Sequence, residues 1–173
     1  MASDTAAADS LISDEMRGVL GKTLRSRSSY PVSASDIRKW ALAVYYPEAP
    51  PARFIGAGAA GGEAPLVAPE EFNPFAWATP GGQQKEADVS AGFLEKQAGI
   101  APPPMQFMVN GGSVCEYGVP MLEGDVISTQ FSIKGYTVKQ GKRGPLLITE
   151  TQDRWTNQRG EVVKTSVMTL VRY

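Results

Sequence analysis

Residues 127–134 read Ile127-Ser128-Thr129-Gln130-Phe131-Ser132-Ile133-Lys134, with one row of side chains at the odd positions and a more polar row at the even positions. Successive side chains of a β-strand point to opposite faces, so this period of two predicts a strand with one row on a core and the other outward. The C-terminal third of the chain is therefore predicted to be β-structure.

Extended segments continue on both sides of this strand. Leu146 to Trp155 follows the turn Gly-Lys-Arg-Gly at 141–144, and Val162 to Val171 follows the turn Asn-Gln-Arg-Gly at 157–160. Both turns contain glycine, which suits antiparallel hairpins. Phe107 to Val119 is predicted to be the first strand of the same meander. Such a sheet has an apolar face that a buried helix must cover.

Helical spacing is found in the N-terminal half. Apolar residues predict a short leading helix over 11–20, and Ile37, Trp40, Ala41 and Val44 share one face of a second helix that ends before Pro47. Pro69 through Trp77 is predicted to be the helix that covers the sheet, because proline suits a first turn and Glu70 and Glu71 complement the helix dipole. A short helix is also expected near Phe93 to Gln97.

Composition limits the possible function classes. The chain has 173 residues, of which 42% are hydrophobic, and this predicts a single α+β domain over 11–173 after a disordered start at 1–10. Seventeen basic and eighteen acidic residues leave a formal net charge of -1, which gives no reason to expect a nucleic acid or an anionic membrane as partner.

Metal, disulfide and membrane chemistry are also not expected. Cys115 is the single cysteine and there is no histidine, so neither an intrachain disulfide nor a soft-ligand metal site is predicted. No segment approaches the roughly 20 apolar residues that span a bilayer. A reducing cytoplasm is the expected location.

Several strings, in this order, resemble one known family, the N-terminal MaoC dehydratase domain, also called the FAS1-like dehydratase domain. They are Val67-Ala68-Pro69-Glu70-Glu71-Phe72, Asn110-Gly111-Gly112, Glu116-Tyr117, Val119-Pro120, Glu123-Gly124-Asp125, the turn over 139–144, and the stretch 157–163. The resemblance covers about residues 11–173. It implies the hot-dog fold, an antiparallel β-sheet wrapped around a central α-helix.

The resemblance also implies a function. Catalytic members of the wider family hold a water with an Asp and a His after the first helix, whereas residues 43–51 here read Ala-Val-Tyr-Tyr-Pro-Glu-Ala-Pro-Pro, with Tyr46 at the Asp position and proline or alanine at the His position. The expected role is a non-catalytic acyl-binding subunit of a heteromeric enoyl-CoA hydratase or (3R)-hydroxyacyl-thioester dehydratase. A catalytic MaoC-like hot-dog partner, in a heterodimer or heterotetramer, would supply the Asp and His.

The expected ligand is a long or bulky acyl thioester, such as a fatty or steroid side-chain acyl group. Coenzyme A or acyl carrier protein belongs to that substrate, and no other cofactor is expected. The substrate-binding residues are expected to be Ala68, Pro69, Phe72, Asn110, Gly111 and Gly112. The three residues 110–112 have two interpretations, since glycine permits both backbone amides close to a thioester carbonyl and a bulge in a strand.

An alternative function is a homodimeric acyl-CoA thioesterase that uses a carboxylate. Glu63, on a glycine-rich loop, is the candidate general base for that reaction. Asp125 is interpreted as a turn residue, and Cys115 as a small buried hydrophobe. Lys142 and Arg143 are either contacts for coenzyme A phosphates or solvated charges at a hairpin tip.

Overall fold

The computed structural model of the protein describes residues 11–56, 65–76 and 88–173. Within these ranges four helices and five strands follow one another along the chain. They are α1 (Asp14–Gly18), β1 (Thr23–Ser28), α2 (Ala34–Tyr45), α3 (Ala52–Ile55), α4 (Phe93–Ala98), β2 (Met108–Tyr117), β3 (Ser128–Gly141), β4 (Gly144–Thr156) and β5 (Val162–Arg172). The predicted α+β class is confirmed.

The five strands form one antiparallel sheet in the order β1-β3-β4-β5-β2. The two predicted hairpin turns are present, and Gly144 and Gly160 have φ values of 136° and 79°. Such positive values favour glycine. Asn157 fixes the second turn because its side-chain oxygen accepts hydrogen bonds from the backbone N–H groups of Arg159 and Glu161.

The predicted meander needs one correction. The strand β2 does not pair with β3, which follows it in sequence, but with β5 at the far edge of the sheet. Strand pairing depends on which partner can bury the same apolar face, and local periodicity carries no information about that choice. The edges of the sheet are therefore β1 and β2.

The predicted covering helix at Pro69–Trp77 is wrong over its described part. Residues 65–76 contain turns at Glu70–Glu71 and Pro74–Phe75 and no helix. Pro74 explains the difference, because proline lacks an N–H, clashes with the carbonyl four residues earlier, and disfavours helical backbone at Asn73. The Asn73 side chain instead accepts a hydrogen bond from the Phe75 N–H at 3.0 Å.

The first two helices were both predicted, and one of them differs in length. The predicted leading helix over 11–20 is reduced to Asp14–Gly18, since the Ser13 side chain caps it by accepting from the Met16 N–H. In contrast, α2 begins and ends close to its predicted limits, with Ser33 as N-cap and with Ile37 and Ala41 buried.

The helix that packs on the middle of the sheet is α4, predicted near Phe93 to Gln97. Leu94 is fully buried against Ile133 of β3 and Leu170 of β5. A second apolar cluster lies towards one end of the sheet, where Phe72 and Phe75 from the 65–76 segment pack with α2 and with Trp155 of β4. The segment that was expected to be helical therefore still covers the sheet, but as a chain of turns.

A buried ion pair joins α4 to the sheet. Arg172 of β5 and Glu95 of α4 both have fully buried side chains, and two hydrogen bonds of 2.8 and 2.9 Å link the guanidinium to the carboxylate. Arg172 also donates to the Ala91 carbonyl at 2.9 Å and to Thr149 Oγ1 at 2.5 Å. Tyr136 donates to Glu95 Oε1 at 2.8 Å. We call these five residues the Arg172 clamp.

Candidate functional site

A cavity of about 560 Å³ lies at the end of the sheet where β2 and β4 finish and β5 begins. Its walls come from α2, α3, the segment 67–71, the β2–β3 connection and the two strands β4 and β5. Most of the surface is apolar and includes Trp40, Phe54, Ala68, Val119, Met121 and Val163. Its volume lies within the roughly 300–1,000 Å³ typical of small-molecule sites.

The polar part of the cavity is centred on Lys164 of β5. The strand register places this residue directly opposite Tyr117 on β2 and opposite Trp155 on β4, so all three side chains share one face of the sheet. The Lys164 ammonium lies 5.2 Å from the centre of the Tyr117 ring and 5.4 Å from the centre of the Trp155 ring. Such cation–π contacts hold the charge over the aromatic faces.

One carboxylate neutralises this lysine. Lys164 Nζ lies 3.2 Å from Glu71 Oε2, and the two side chains differ sharply in exposure, 11% for the lysine and 62% for the glutamate. A cation that is nine-tenths buried is costly without a partner. Glu71 therefore satisfies a charge whose position is set by the sheet, while its own side chain stays largely in water.

Trp155 forms part of the aromatic wall of the cavity. The indole packs edge-on against Phe75, with ring centres 5.2 Å apart, and its Nε1 is buried without a hydrogen-bond partner among the residues described. Buried polar groups without a partner are rare in folded proteins. The cavity thus combines an apolar, partly aromatic wall with one lysine.

The structure separates the predicted substrate-binding residues into two groups. Ala68 and Pro69 line the cavity, and Phe72 lies behind them in the core at 2% exposure, edge-on to Trp40. Residues 110–112 lie on β2 outside the lining of this cavity. The register shifts between Asn110 and Gly112, and the Asn110 side chain accepts from the Gly112 N–H at 2.8 Å, so a bulge is present there.

The segment that resembles the catalytic motif presents no carboxylate and no imidazole to the cavity. Tyr46, at the expected Asp position, is 82% exposed, and it is Tyr45 that lines the cavity beside Phe54. Glu48 is exposed and is not part of the lining. Glu63, the candidate general base of the alternative function, lies outside the described residues.

Asp125 has the structural role that was predicted for it. Its side chain is buried and accepts hydrogen bonds from the Leu122 N–H at 2.9 Å, from Gln158 at 2.9 Å and from Arg159 at 3.1 Å. These contacts tie the turn before β3 to the turn between β4 and β5. Cys115 is half-buried rather than fully buried, and its thiol donates to Ser166 Oγ at 3.5 Å.

Neither a metal site nor a membrane span is found in the described ranges. No group of three or more Asp, Glu or Cys side chains there could hold a metal ion. Over the same ranges, no helix is long and apolar enough to cross a bilayer.

The family is settled by comparison with family models. The model of the FAS1-like dehydratase domain region matches residues 19–166. The chain belongs to this family. The predicted family is thereby confirmed, and the match includes both the residues of the cavity and the altered motif at 43–51.

Solved structures support the fold of this FAS1-like dehydratase domain. The ChsH1–ChsH2 complex from Mycobacterium tuberculosis matches with a TM-score of 0.55 at 18% identity, over 86% of this chain and 83% of that chain. This likeness shows the hot-dog fold, as predicted. At this level of identity it does not show which reaction the chain takes part in.

Two further solved structures are similar at lower TM-scores. The C-terminally truncated HadBC (3R-hydroxyacyl-ACP dehydratase) complex from Mycobacterium tuberculosis matches at 20% identity over 87% and 99% of the chains, with a TM-score of 0.48. A MaoC-like dehydratase from Rhodospirillum rubrum matches at 19% identity over 86% and 90%, with a TM-score of 0.45. A comparison with curated protein sequences found no match.

Sequence reasoning missed Lys164 and Trp155 as residues of the site. Both lie on strands that were predicted, but neither stands out along the chain. Their meeting with Tyr117 depends on β5 lying between β4 and β2. A lysine opposite two aromatic residues becomes visible only when the register is known.

Proposed function

We propose that this FAS1-like dehydratase domain is the non-catalytic, acyl-binding subunit of a heteromeric enoyl-CoA hydratase or (3R)-hydroxyacyl-thioester dehydratase. The observation that carries the proposal is the apolar cavity of about 560 Å³ in a chain that has no histidine. The cavity has the size and lining for an acyl group. The described part of its lining contains neither an aspartate nor a histidine.

Hydration of an enoyl thioester adds a hydroxyl to the β-carbon and a proton to the α-carbon. One group must take a proton from water and another must deliver a proton to the substrate. Both groups must lie within hydrogen-bond distance of the reacting atoms. The described carboxylates of the cavity are Glu70 and Glu71, both exposed, and Glu71 is bound to Lys164. A partner subunit supplies the Asp and His pair in this proposal, and this chain positions the acyl group.

The partner would bind along β2. This edge strand pairs only with β5, and every residue of it except Met108 and Cys115 is exposed, including Val109 and Val114 at 46% and 66%. An exposed edge with apolar side chains offers unpaired backbone groups to which another chain can bind. The structurally similar ChsH1–ChsH2 assembly is a complex of two differently named proteins. We expect a heterodimer or a heterotetramer with a catalytic MaoC-like hot-dog subunit.

The ligand in this proposal is a long or bulky acyl thioester, such as a fatty or steroid side-chain acyl group, carried by coenzyme A or by acyl carrier protein. The protein would need no other cofactor. Ala68 and Pro69 would contact the acyl group in the cavity, with Phe72 behind them. Residues 110–112 would act at the edge strand, close to the partner rather than in this cavity.

The test measures loss of enoyl-thioester absorbance with this chain alone, with a catalytic hot-dog partner alone, and with both co-purified. We expect turnover of a long-chain substrate only from the complex. Ala68→Phe, which fills the cavity, should weaken long-chain turnover, whereas Ala43→Phe on the exposed face of α2 should not. Melting temperatures of both variants show whether the fold is retained.

Two outcomes would overturn the proposal. Hydration by this chain alone, verified free of companions, would show that the chain holds its own acid and base. Release of free thiol from an acyl-CoA by the chain alone, abolished by Glu63→Gln, would replace the proposal with the thioesterase alternative.

A further inference from the structure

We propose that Lys164 selects acyl groups that carry a carboxylate at the end held in the cavity, such as the monothioester of a dicarboxylic acid. This inference rests on the proposed acyl-binding function and deepens it, because it names the substrate class. It follows from the position of the lysine, from its hydrogen-bonding capacity, and from the exposure of Glu71, its acid partner among the described residues.

The position of the Lys164 ammonium is fixed before any ligand binds. The side chain starts from β5, lies opposite Tyr117 and Trp155, and is held over both rings at 5.2 and 5.4 Å. Only 11% of the side chain is exposed. A cation placed in an apolar wall and held by two aromatic faces is ready to bind an anion without further ordering.

The ammonium has hydrogen-bonding capacity to spare. A lysine has three N–H donors, and in the described part of the chain Lys164 donates only to Glu71 Oε2, at 3.2 Å. The wall therefore offers donors in excess of acceptors, which favours a ligand with acceptor oxygens.

Glu71 can be replaced by a ligand carboxylate. Its side chain is 62% exposed, so the carboxylate is readily hydrated when it turns from the lysine to water, and a ligand carboxylate then serves as the partner that the buried lysine needs. The lysine, in contrast, cannot leave its place without exposing the aromatic face. A carboxylate at the end of an acyl chain would take the place of Glu71 and repeat the ion pair that the protein already makes.

The other charged side chains that line the cavity leave a place for one anionic group of the ligand beside Lys164. The other charged residues that line the cavity are Arg53, stacked over Phe54 at 4.6 Å, and Glu70, whose side chain is exposed. With Glu71 turned outward, the cavity holds an excess of positive charge near Lys164. An uncharged alkyl end would gain nothing from that charge.

The experiment compares two ligands of equal chain length on the full-length protein by isothermal titration calorimetry. One is decanoyl-CoA, and the other is the CoA monothioester of decanedioic acid, which adds one terminal carboxylate. We expect the carboxylated ligand to bind at least about tenfold more tightly, since a hydrogen bond to a charged group is worth at least the free energy of one tenfold step. Tryptophan fluorescence gives a second readout, because Trp40 and Trp155 both line the cavity.

Three variants assign the preference to the lysine. Lys164→Met should remove it, so that the two ligands then bind with similar affinity, and Lys164→Arg, which keeps the positive charge, should retain it at least in part. Glu71→Gln should increase the affinity for the carboxylated ligand, because the competing carboxylate is gone. Lys139→Met, an exposed lysine on β3 with the same change in net charge, should alter neither affinity.

The results distinguish this inference from the proposed function. Equal affinity of the wild-type protein for the two ligands would overturn the inference alone, and so would an equal loss of both affinities in Lys164→Met. If Lys164→Met does not fold, Glu71→Gln still decides, because unchanged binding of the carboxylated ligand would contradict displacement. Absence of binding by either ligand would overturn the inference and the acyl-binding function together.

Discussion

Removal of the positive charge from the Arg172 clamp should strongly destabilise the protein. Arg172→Met removes two hydrogen bonds to Glu95, one to Ala91 and one to Thr149, and leaves the Glu95 carboxylate fully buried with only the Tyr136 hydroxyl as donor. Breaking a buried pair in this way costs about 3–5 kcal/mol. At roughly 2–4 °C per kcal/mol for a chain of this size, the melting temperature should fall by about 6–20 °C.

The assay is urea unfolding followed by circular dichroism, combined with a double-mutant cycle. Glu95→Leu with Arg172→Met removes both charges, so it should recover most of the loss and differ from the sum of the single changes by about 3 kcal/mol. Arg154→Met, an exposed arginine on β4, is the control and should change the free energy of unfolding by less than about 0.5 kcal/mol.

The reasoning fails if Arg172→Met costs less than about 1 kcal/mol, a value typical of an exposed ion pair. It also fails if the double variant is as unstable as the two single variants added together. Either result would mean that the carboxylate reaches water or another donor when the arginine is lost.

Three further predictions concern pH, backbone space and association. Burial and the negative charge of Glu95 raise the pKa of Tyr136, so the folded protein retains a proton that the unfolded chain loses above about pH 10. Stability should therefore fall as pH rises above 10, and less steeply in Tyr136→Phe; equal slopes in urea titrations would contradict this. Gly118→Ala should cost about 1–3 kcal/mol, because the new methyl carbon would lie 2.0 Å from the Val162 carbonyl oxygen, whereas Gly18→Ala meets no atom and should not destabilise. Equal melting temperatures of these two variants would refute the argument. Val114→Glu on β2 should abolish association with the partner in light-scattering measurements and leave the melting temperature of the lone chain unchanged; retained association would remove β2 from the proposed interface.

The strands and their turns could be predicted because they are encoded locally. Alternation at 127–134 and glycine at the turns 141–144 and 157–160 act over a few residues, and the sheet follows them closely. The helix α2 was predictable for the same reason, since Ser33 caps it and its apolar face repeats at helical spacing. The family resemblance predicted the hot-dog fold and drew attention to the altered motif at residues 43–51.

The covering segment was mispredicted although its signal was present. Pro69, Glu70 and Glu71 are favourable at a helix start, but Pro74 follows within the next turn and prevents the helix from continuing. Bulky apolar residues at Phe72 and Phe75 gave the segment a buried face, and that part of the expectation is correct. Burial and helix formation are separate properties, and the prediction treated them as one.

The polar contacts of the core could not be predicted, because they join residues far apart in sequence. Arg172 and Glu95 are separated by 77 positions, and Lys164 and Glu71 by 93. Each looks like an ordinary charged residue on a strand, helix or loop. Only the packing of α4 and of the 65–76 segment against β5 brings them to their partners.

The Arg172 clamp also restricts how this sequence can change over generations. Loss of either partner leaves an unpaired charge in the interior. A lineage that replaces Arg172 or Glu95 alone must therefore pass through an ancestor with a less stable fold. We therefore expect relatives to inherit the pair intact or to have exchanged both members for apolar residues. A set of stable homologues that keep the arginine beside an alanine or leucine at the position of Glu95 would contradict this expectation.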